Sequence, residues 1–160
     1  TKPVVLSAVL DDVYPFDEYP TAPREPTQVP LMGYASFPVV DLPRGLNRST
    51  DDLWAWEAPG QWMSPVKFRF NTEWNLGTTK ALRKRFKTDP AIAESEAEGR
   101  AMITSARADG RGVSTLVFLP TGADGSGILC EGFATRGSGF NDVGEVARFL
   151  EQVCRSLHFP

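Results

Sequence analysis

The side chains that could carry metal or nucleophilic chemistry are few in this sequence. It has one histidine, His158, near its end, and two cysteines, Cys130 and Cys154. Zinc and iron sites draw mainly on His and Cys ligands, and neither a C-x-x-C nor an H-x-x-x-H spacing is present. The simplest interpretation of His158 is a side chain that contacts the last carbonyl groups of a helix. These residue types argue against a transition-metal site and against a Ser-His or Cys-His couple, and we expect no cofactor.

The two cysteines allow two interpretations. They are either small buried side chains in a reducing compartment or one disulfide in an oxidising compartment. Cys130 falls on the last predicted strand and Cys154 on the inward face of the last predicted helix. A helix that folds back on the preceding strand brings these two faces together, which favours a disulfide that stabilises the fold by about 3 kcal/mol. A disulfide favours a periplasmic or secreted location, although the compartment otherwise stays open.

A cluster of cations marks a short predicted helix. Five basic residues fall within eight positions: Lys80, Arg83, Lys84, Arg85 and Lys87. Steps of about 100° spread them around the helix and leave Leu82 and Phe86 as the inward pair. The preferred interpretation is a solvated face neutralised by Glu94, Glu96 and Glu98 on the next predicted helix. The alternative is a docking surface for an acidic protein partner or for phosphate groups. Nucleic acid ranks below a protein, because aromatic residues are not interleaved with these cations.

Aromatic residues are concentrated in the 21 positions that precede this helix. They are Trp54, Trp56, Trp62, Phe68, Phe70 and Trp74. On a strand, Trp54 and Trp56 point to the same face, and we expect them to form a core stripe opposite Phe68 and Phe70. Trp62 lies in a Pro-Gly loop and is the candidate exposed anchor for an interface, because loop tryptophans often serve that role.

Two glycine-rich segments could suggest phosphate binding, but neither contains a P-loop or a dinucleotide fingerprint. The segment 122–127 lies between two apolar runs and predicts a hairpin turn. The segment 136–142 precedes a helix, whose first N–H groups could bind an anion with Arg136 and Ser138 nearby. A plain loop and helix cap is the alternative that we prefer for this second segment.

Adjacent carboxylates occur at three places, including Asp51 and Asp52 after Ser49. Neighbouring side chains point in different directions, so the sequence cannot place two carboxylates at the separation that a glycosidase needs. A turn fixed by Asp51 or Asp52 is the plainer interpretation.

Length and composition describe one globular domain. The chain has 160 residues, of which 41% are hydrophobic and 23% charged, with a net charge of −3. We expect a single domain over 1–160, with a Pro-rich part at 1–65 and an α+β core at 66–160. Only the segment 66–107 is basic, with 9 basic and 5 acidic residues. Apolar runs are too short for a membrane span, and the acidic overall balance argues against a general nucleic-acid binder.

Local patterns predict the elements of the first half. A buried strand is expected at 4–10, a strand interrupted by Pro38 at 32–40, and strands around 53–56 and 66–70. Thr78 or Thr79 caps a helix that runs to Lys87, and Asp89-Pro90 begins a second helix that ends near Gly99.

The second half predicts a three-stranded meander followed by a helix. Its strands fall at 100–107, 113–119 and 128–135, and the middle one is apolar on both faces. Asn141 or Asp142 caps the helix, which has a wide apolar stripe formed by Val143, Val146, Ala147, Leu150, Val153, Cys154 and Leu157. The whole is therefore an α+β domain. It has an antiparallel sheet of about five to six strands ending in the meander, two short helices, and a C-terminal amphipathic helix packed on the sheet.

The meander and terminal helix, over residues 100–160, resemble the Mog1/PsbP-like sandwiches. The likeness is one of architecture without a diagnostic motif, so it implies a fold and assigns no role to any residue.

Because the sequence offers no metal set, no nucleophile with its base and no cofactor fingerprint, we predict a non-enzymatic module that binds another protein. An inhibitor, immunity or accessory protein of a bacterial cell envelope is the kind of role expected. One alternative is a small metal-independent enzyme or ligand carrier with Asp, Glu, Tyr or Arg in a pocket. The other is a binder of phosphate-rich polymers that uses the helix from Lys80 to Lys87. The oligomeric state is not predicted.

Overall fold

The computed structural model describes residues 15–59 and 64–160. In these ranges a short 3-10 helix, Phe16–Glu18, precedes nine strands and two α-helices. The strands are β1 Arg24–Gln28, β2 Val39–Pro43, β3 Asn47–Arg48, β4 Ala55–Glu57, β5 Val66–Trp74, β6 Ala91–Ala97, β7 Arg100–Ala106, β8 Gly112–Pro120 and β9 Ser126–Thr135. The helices are α1 Thr79–Arg85 and α2 Val143–Arg155. Neither helix is long and apolar enough to cross a bilayer.

Strands β3 to β9 form one antiparallel sheet in the order β3-β4-β5-β9-β8-β7-β6, and β1 pairs with β2 in a separate ribbon. The predicted α+β architecture with a large antiparallel sheet is confirmed. The large sheet has seven strands rather than five or six among the described residues, because the sequence pattern does not predict β3 and β6 as strands.

The two faces of the sheet are covered by different helices. Side chains alternate along each strand, so Phe68, Phe70 and Cys130 share one face and pack in the core that includes Leu150 of α2. The other face carries a smaller core, in which Leu82 of α1 packs with Leu116 and other apolar residues of the meander. Helix α1 reaches β6 and β7, which leaves the β5 half of this second face without a helix.

The predicted meander is confirmed as β7, β8 and β9, which pair in that order. Strand β8 is central, and its residues contribute to both cores, as its apolar sequence predicts. The segment 122–127 forms the turn between β8 and β9, where Gly125 has a φ of +88° that other residues rarely adopt.

The predicted caps of the first and the last helix are present. The Thr78 hydroxyl accepts a hydrogen bond from Ala81 N–H at 3.1 Å, and Asp142 Oδ1 accepts one from Glu145 N–H at 3.1 Å. Helix α1 ends at Arg85, two residues before the predicted end.

The predicted disulfide is also present and joins Cys130 of β9 to Cys154 of α2, with both residues buried. It ties the terminal helix to the centre of the sheet. Beyond α2, the backbone of His158 exchanges hydrogen bonds with Val39 of β2, and His158 Nδ1 lies 2.7 Å from the Ser156 carbonyl oxygen. The imidazole therefore contacts a carbonyl group just past the helix, as expected.

The prediction of a second short helix at 90–99 is wrong. This segment is β6, which pairs antiparallel with β7 through a tight turn at Glu98 and Gly99, whose φ values are +52° and +76°. Two consecutive positive φ values are typical of a two-residue hairpin turn. Ala and Glu favour a helix locally, but pairing with β7 overrides that preference.

The strand predicted at 32–40 begins only after Pro38, as β2. Residues 32–37 are irregular, and the Pro38 carbonyl accepts a hydrogen bond from Val29 N–H at 2.9 Å. The strand expected at 4–10 lies outside the described residues.

Candidate protein-binding surface

Strand β5 is paired with β4 along only part of its length. At its two ends, Pro65 O accepts from Thr135 N–H at 3.0 Å and Asn75 N–H donates to Gly125 O at 2.8 Å, both towards the β9 side. Backbone groups alternate in direction along a strand. The N–H and C=O groups of the odd-numbered residues of β5 therefore point to β9, and those of the even-numbered residues point to β4.

The contacts with the β4 side agree with this alternation. Ala58 N–H donates to Val66 O at 3.0 Å, and Phe70 N–H donates to Trp54 O at 2.9 Å. The pairing with β4 ends there, whereas β5 continues to Trp74. The last four residues of β5 therefore have a neighbour on one side only, within the part of the chain that the structure describes.

Large apolar side chains are exposed around this open end of β5. We call them the apolar edge: Met32 (80% exposed), Leu53 (66%), Trp54 (36%) and Trp74 (55%). A groove of about 410 Å³ lies between Met32, Trp54 and the end of β5, with Leu31, Arg69, Asn71, Thr72 and Glu73 also in its walls. Exposed apolar residues that gather around a groove, rather than lying singly, are typical of an interaction surface.

The loop that carries Leu53 and Trp54 is held by several hydrogen bonds. Ser49 Oγ accepts from the N–H groups of Asp51 and Asp52 at 3.2 and 3.3 Å. Asp52 Oδ1 accepts from Trp54 N–H at 3.2 Å, which agrees with the predicted turn. The Trp54 indole N–H donates to Pro30 O at 3.3 Å.

Charged residues of β5 and β9 lie beside the apolar edge and form ion pairs with each other, with the loop before β4 and with α1. Arg69 Nε lies 2.8 Å from Asp52 Oδ2, and Arg69 Nη1 lies 3.9 Å from Glu131 Oε2. Arg85 of α1 reaches Glu73 at 3.6 Å. The β5 half of the sheet face that carries α1 is therefore polar, and its charges are largely compensated by ion pairs.

Glu131 is the buried member of this network. It is 7% exposed, and its Oε2 atom has no hydrogen-bond donor among the described residues. Burial raises the pKa of Glu131, the Arg69 guanidinium opposes that rise, and the nearby carboxylates of Glu73 and Asp52 add to it. A buried carboxyl group with an incomplete set of partners lowers the stability of this part of the sheet.

The cations of the basic cluster, of which Lys87 lies two residues past the end of α1, divide into two groups. Arg83 forms an ion pair with Glu94, and Arg85 pairs with Glu73. Leu82 is buried and Phe86 partly buried, which agrees with the predicted inward pair. The remaining cations are exposed and form no ion pair with other described residues: Lys80, Lys84 and Lys87. The predicted neutralisation by glutamates therefore holds for Arg83, although the glutamate lies on strand β6 and not on a helix.

Arg136 lines a second pocket, of about 310 Å³, and Ser138 is not among the residues in its wall. Arg136 Nη1 lies 3.8 Å from Asp17 Oδ1, and the carboxylates of Asp142 and Glu145 also line the pocket. Three carboxylates around one guanidinium disfavour an anion. The proposed anion site stays a prediction, and the pocket is where a carboxylate/Arg enzyme or carrier would hold its ligand.

Two aromatic predictions have different outcomes. Trp56 is buried and packs edge-to-face against Phe70 at 5.8 Å between ring centres, as expected for the core. The prediction for Trp54 is wrong, because β4 begins only at Ala55 and leaves its indole at the exposed end of the strand. Trp62 lies outside the described residues, so its role stays a prediction.

The sequence patterns do not identify Met32 or Leu53 as surface residues, and they identify Trp74 only as one member of the aromatic cluster. A local signal exists for Leu53, which follows a turn built on Ser49. No comparable signal exists for Met32, because its position beside β5 depends on the path of the ribbon.

Among the described residues, no group of three or more His, Cys, Asp or Glu could hold a metal ion.

No family model matches this chain, and no curated protein matches it. Solved structures with a similar fold include those of Mog1 proteins. A mutant of the protein Mog1 superposes with a TM-score of 0.53 at 9% sequence identity, and the Ran-binding protein Mog1p of Saccharomyces cerevisiae with 0.52 at 10%. Each alignment covers 84% of this chain and 95% of the other. The chain therefore has a Mog1-like fold, in agreement with the resemblance of its second half, and at this identity the likeness extends to the fold alone.

Proposed function

We propose that this protein is a non-enzymatic module that binds another protein, and that the apolar edge is its contact surface. The observation that carries the proposal is the exposure of four large apolar side chains near the open end of β5, two of which, Met32 and Trp54, line one groove. Tryptophan and methionine are enriched in protein interfaces, and a tryptophan in a groove often supplies much of the binding energy. The fold that this chain shares with a Ran-binding protein supports a binding role, without indicating which partner this chain binds.

The surroundings of the apolar edge support the same role. The charged residues next to the groove are already paired, so a partner need not compensate them. Trp54 has its indole N–H bonded to Pro30 O, which leaves its ring free to contact a partner without an unsatisfied donor.

The narrower role, an inhibitor, immunity or accessory protein of a bacterial cell envelope, stays a prediction. The disulfide supports an oxidising compartment. An acidic partner contact is also a prediction, and the exposed Lys80, Lys84 and Lys87 are the residues that would make it. The phosphate-polymer alternative would use the same lysines, and its affinity would fall steeply with added salt.

A photo-crosslinking experiment tests the proposed surface. A benzoylphenylalanine in place of Leu53 is exposed to an extract of the protein's own host, and the same group in place of Ile92, which is exposed on β6, is the matched control. We expect a discrete protein adduct from position 53 that position 92 does not give, and we expect Met32→Ala to reduce it at least tenfold. Met32 is largely exposed, so this substitution leaves the fold intact.

Equal adducts from both positions, or none from position 53, would contradict the proposed surface. A small molecule that copurifies with the protein in the pocket of Arg136 would favour the carrier alternative instead.

A further inference from the structure

The open end of β5 presents backbone groups that have no partner among the described residues. Phe70 is the last residue of β5 whose N–H bonds to the β4 side. The next even-numbered residues, Thr72 and Trp74, direct their N–H and C=O groups to the same side, where β4 no longer runs. These groups are the hydrogen-bonding template on which another strand can add.

The two edge strands of the large sheet, β6 and β3, do not offer this template. Strand β6 is the far edge, and it carries Glu94 and Glu96, with Glu98 in the adjoining turn. Charged side chains on an edge strand oppose the addition of a further strand. Strand β3 has only two residues. Glu73 is the one charge on the open end of β5, and Arg85 pairs with it.

The groove lies beside these open backbone groups. Thr72 is in its wall, and so are Met32 and Trp54. A strand in line with β4 would bond to Thr72 and Trp74, and side chains on one of its faces would enter the groove. At about 3.3 Å per residue, the four open residues of β5 match a strand of roughly four residues.

We propose that the partner binds through an extended segment that adds to the sheet beside Thr72 and Trp74. The segment is uncharged, alternates apolar with polar side chains, and places an apolar side chain between Met32 and Trp54. An uncharged segment fits because the charges around the groove are paired within this chain. This inference rests on the proposed function and specifies how the same surface recognises its partner, by the general mode of strand addition.

The test uses the full chain and a library of random twelve-residue peptides displayed on phage. Peptides are selected on the wild-type protein and counter-selected on a Trp54→Ala variant. Amide hydrogen exchange of the labelled protein is then followed by NMR, with and without the tightest synthetic peptide.

We expect the Thr72 and Trp74 amides to exchange freely in the unbound protein and at least tenfold more slowly in the complex. The Phe70 amide, which is already bonded to Trp54 O, is the internal control and stays protected throughout. Methylation of alternate peptide nitrogens should weaken binding at least tenfold, whereas methylation of the intervening nitrogens should not, because only alternate N–H groups face β5. The Ile92→Ala variant should bind as the wild type does.

Protection of Thr72 and Trp74 in the unbound protein would overturn the inference, since the edge would then already be occupied. Binding of the peptide while these amides stay unprotected would overturn it too, and so would tolerance of methylation at every position. In those last two cases, loss of binding in Met32→Ala would leave the proposed function standing. Failure to select any peptide would overturn the inference, and binding that Met32→Ala does not weaken would remove the proposed surface as well.

Discussion

The two faces of the large sheet are built in different ways. One face is covered by the 13-residue helix α2, which brings a wide apolar stripe and a disulfide to the centre of the sheet. The other is covered by the seven-residue α1 over the meander half, and it leaves paired charges and a buried carboxyl group on the β5 half. Burial of apolar area dominates folding stability. We infer that the first face supplies most of the stability and that the second is the less stable part of the sheet.

The largest expected effect comes from removing the disulfide. Replacing both Cys130 and Cys154 by Ala should lower the free energy of unfolding by about 3 kcal/mol, because the unfolded chain regains the freedom of a loop of about 25 residues. Urea denaturation measures this change. Adding reductant to the wild type should give a similar loss, and adding it to the double variant should change nothing. A loss below about 1 kcal/mol would mean that α2 is held by its apolar stripe alone.

A smaller effect is expected on the other face. Leu82→Ala should cost about 2 kcal/mol, at the low end for a buried leucine, because a seven-residue helix can settle into the space. The exposed Lys84→Ala on the same helix is the control and should change stability by less than about 0.5 kcal/mol. If Leu82→Ala destabilised the protein more than loss of the disulfide, the inferred difference between the faces would be wrong.

The smallest effect concerns Glu131 and depends on pH. Burial raises the pKa of Glu131 above the ordinary value of 4.5, so the folded protein holds this proton more tightly than the unfolded chain does. The free energy of unfolding should therefore fall as pH rises from about 4.5 to the folded pKa, and then level off. Glu131→Gln should remove that fall, so that the variant is the more stable protein at neutral pH.

Thermal unfolding of both proteins from pH 3 to 8 measures this effect. Below pH 4 the carboxyl group is protonated in both states, and the two proteins should differ little there. A variant that is less stable than the wild type at neutral pH would show that the contact with Arg69 outweighs the cost of burial.

The parts of the fold that the sequence predicts are those with strong local signals. The stripe of α2, the caps at Thr78 and Asp142, and the meander strands are each encoded within a few residues. The disulfide follows from the order of β9 and α2 along the chain. By contrast, β6 resembles a helix in sequence because its Ala and Glu residues suit a helix locally, while its actual partner β7 imposes the strand.

The candidate surface is predictable only in part. The aromatic density around Trp54 and Trp74 indicates a core or an interface, and the choice between them depends on where β4 ends relative to β5. That difference in strand length is a property of the assembled sheet. The position of Met32 depends likewise on the β1–β2 ribbon, so no pattern within the sequence could place it beside Trp54.

The loop at Leu53 and Trp54 is fixed before any partner arrives. Arg48 donates to the Leu53 carbonyl from Nε at 2.8 Å and from Nη2 at 2.6 Å, and Asp52 joins Trp54 N–H to Arg69 of β5. Ordering a loop during association consumes part of the gross binding free energy, and a loop that is already ordered avoids that loss. This segment therefore loses its conformational entropy during folding and not during binding. The contacts that a short partner segment makes here contribute more fully to its affinity.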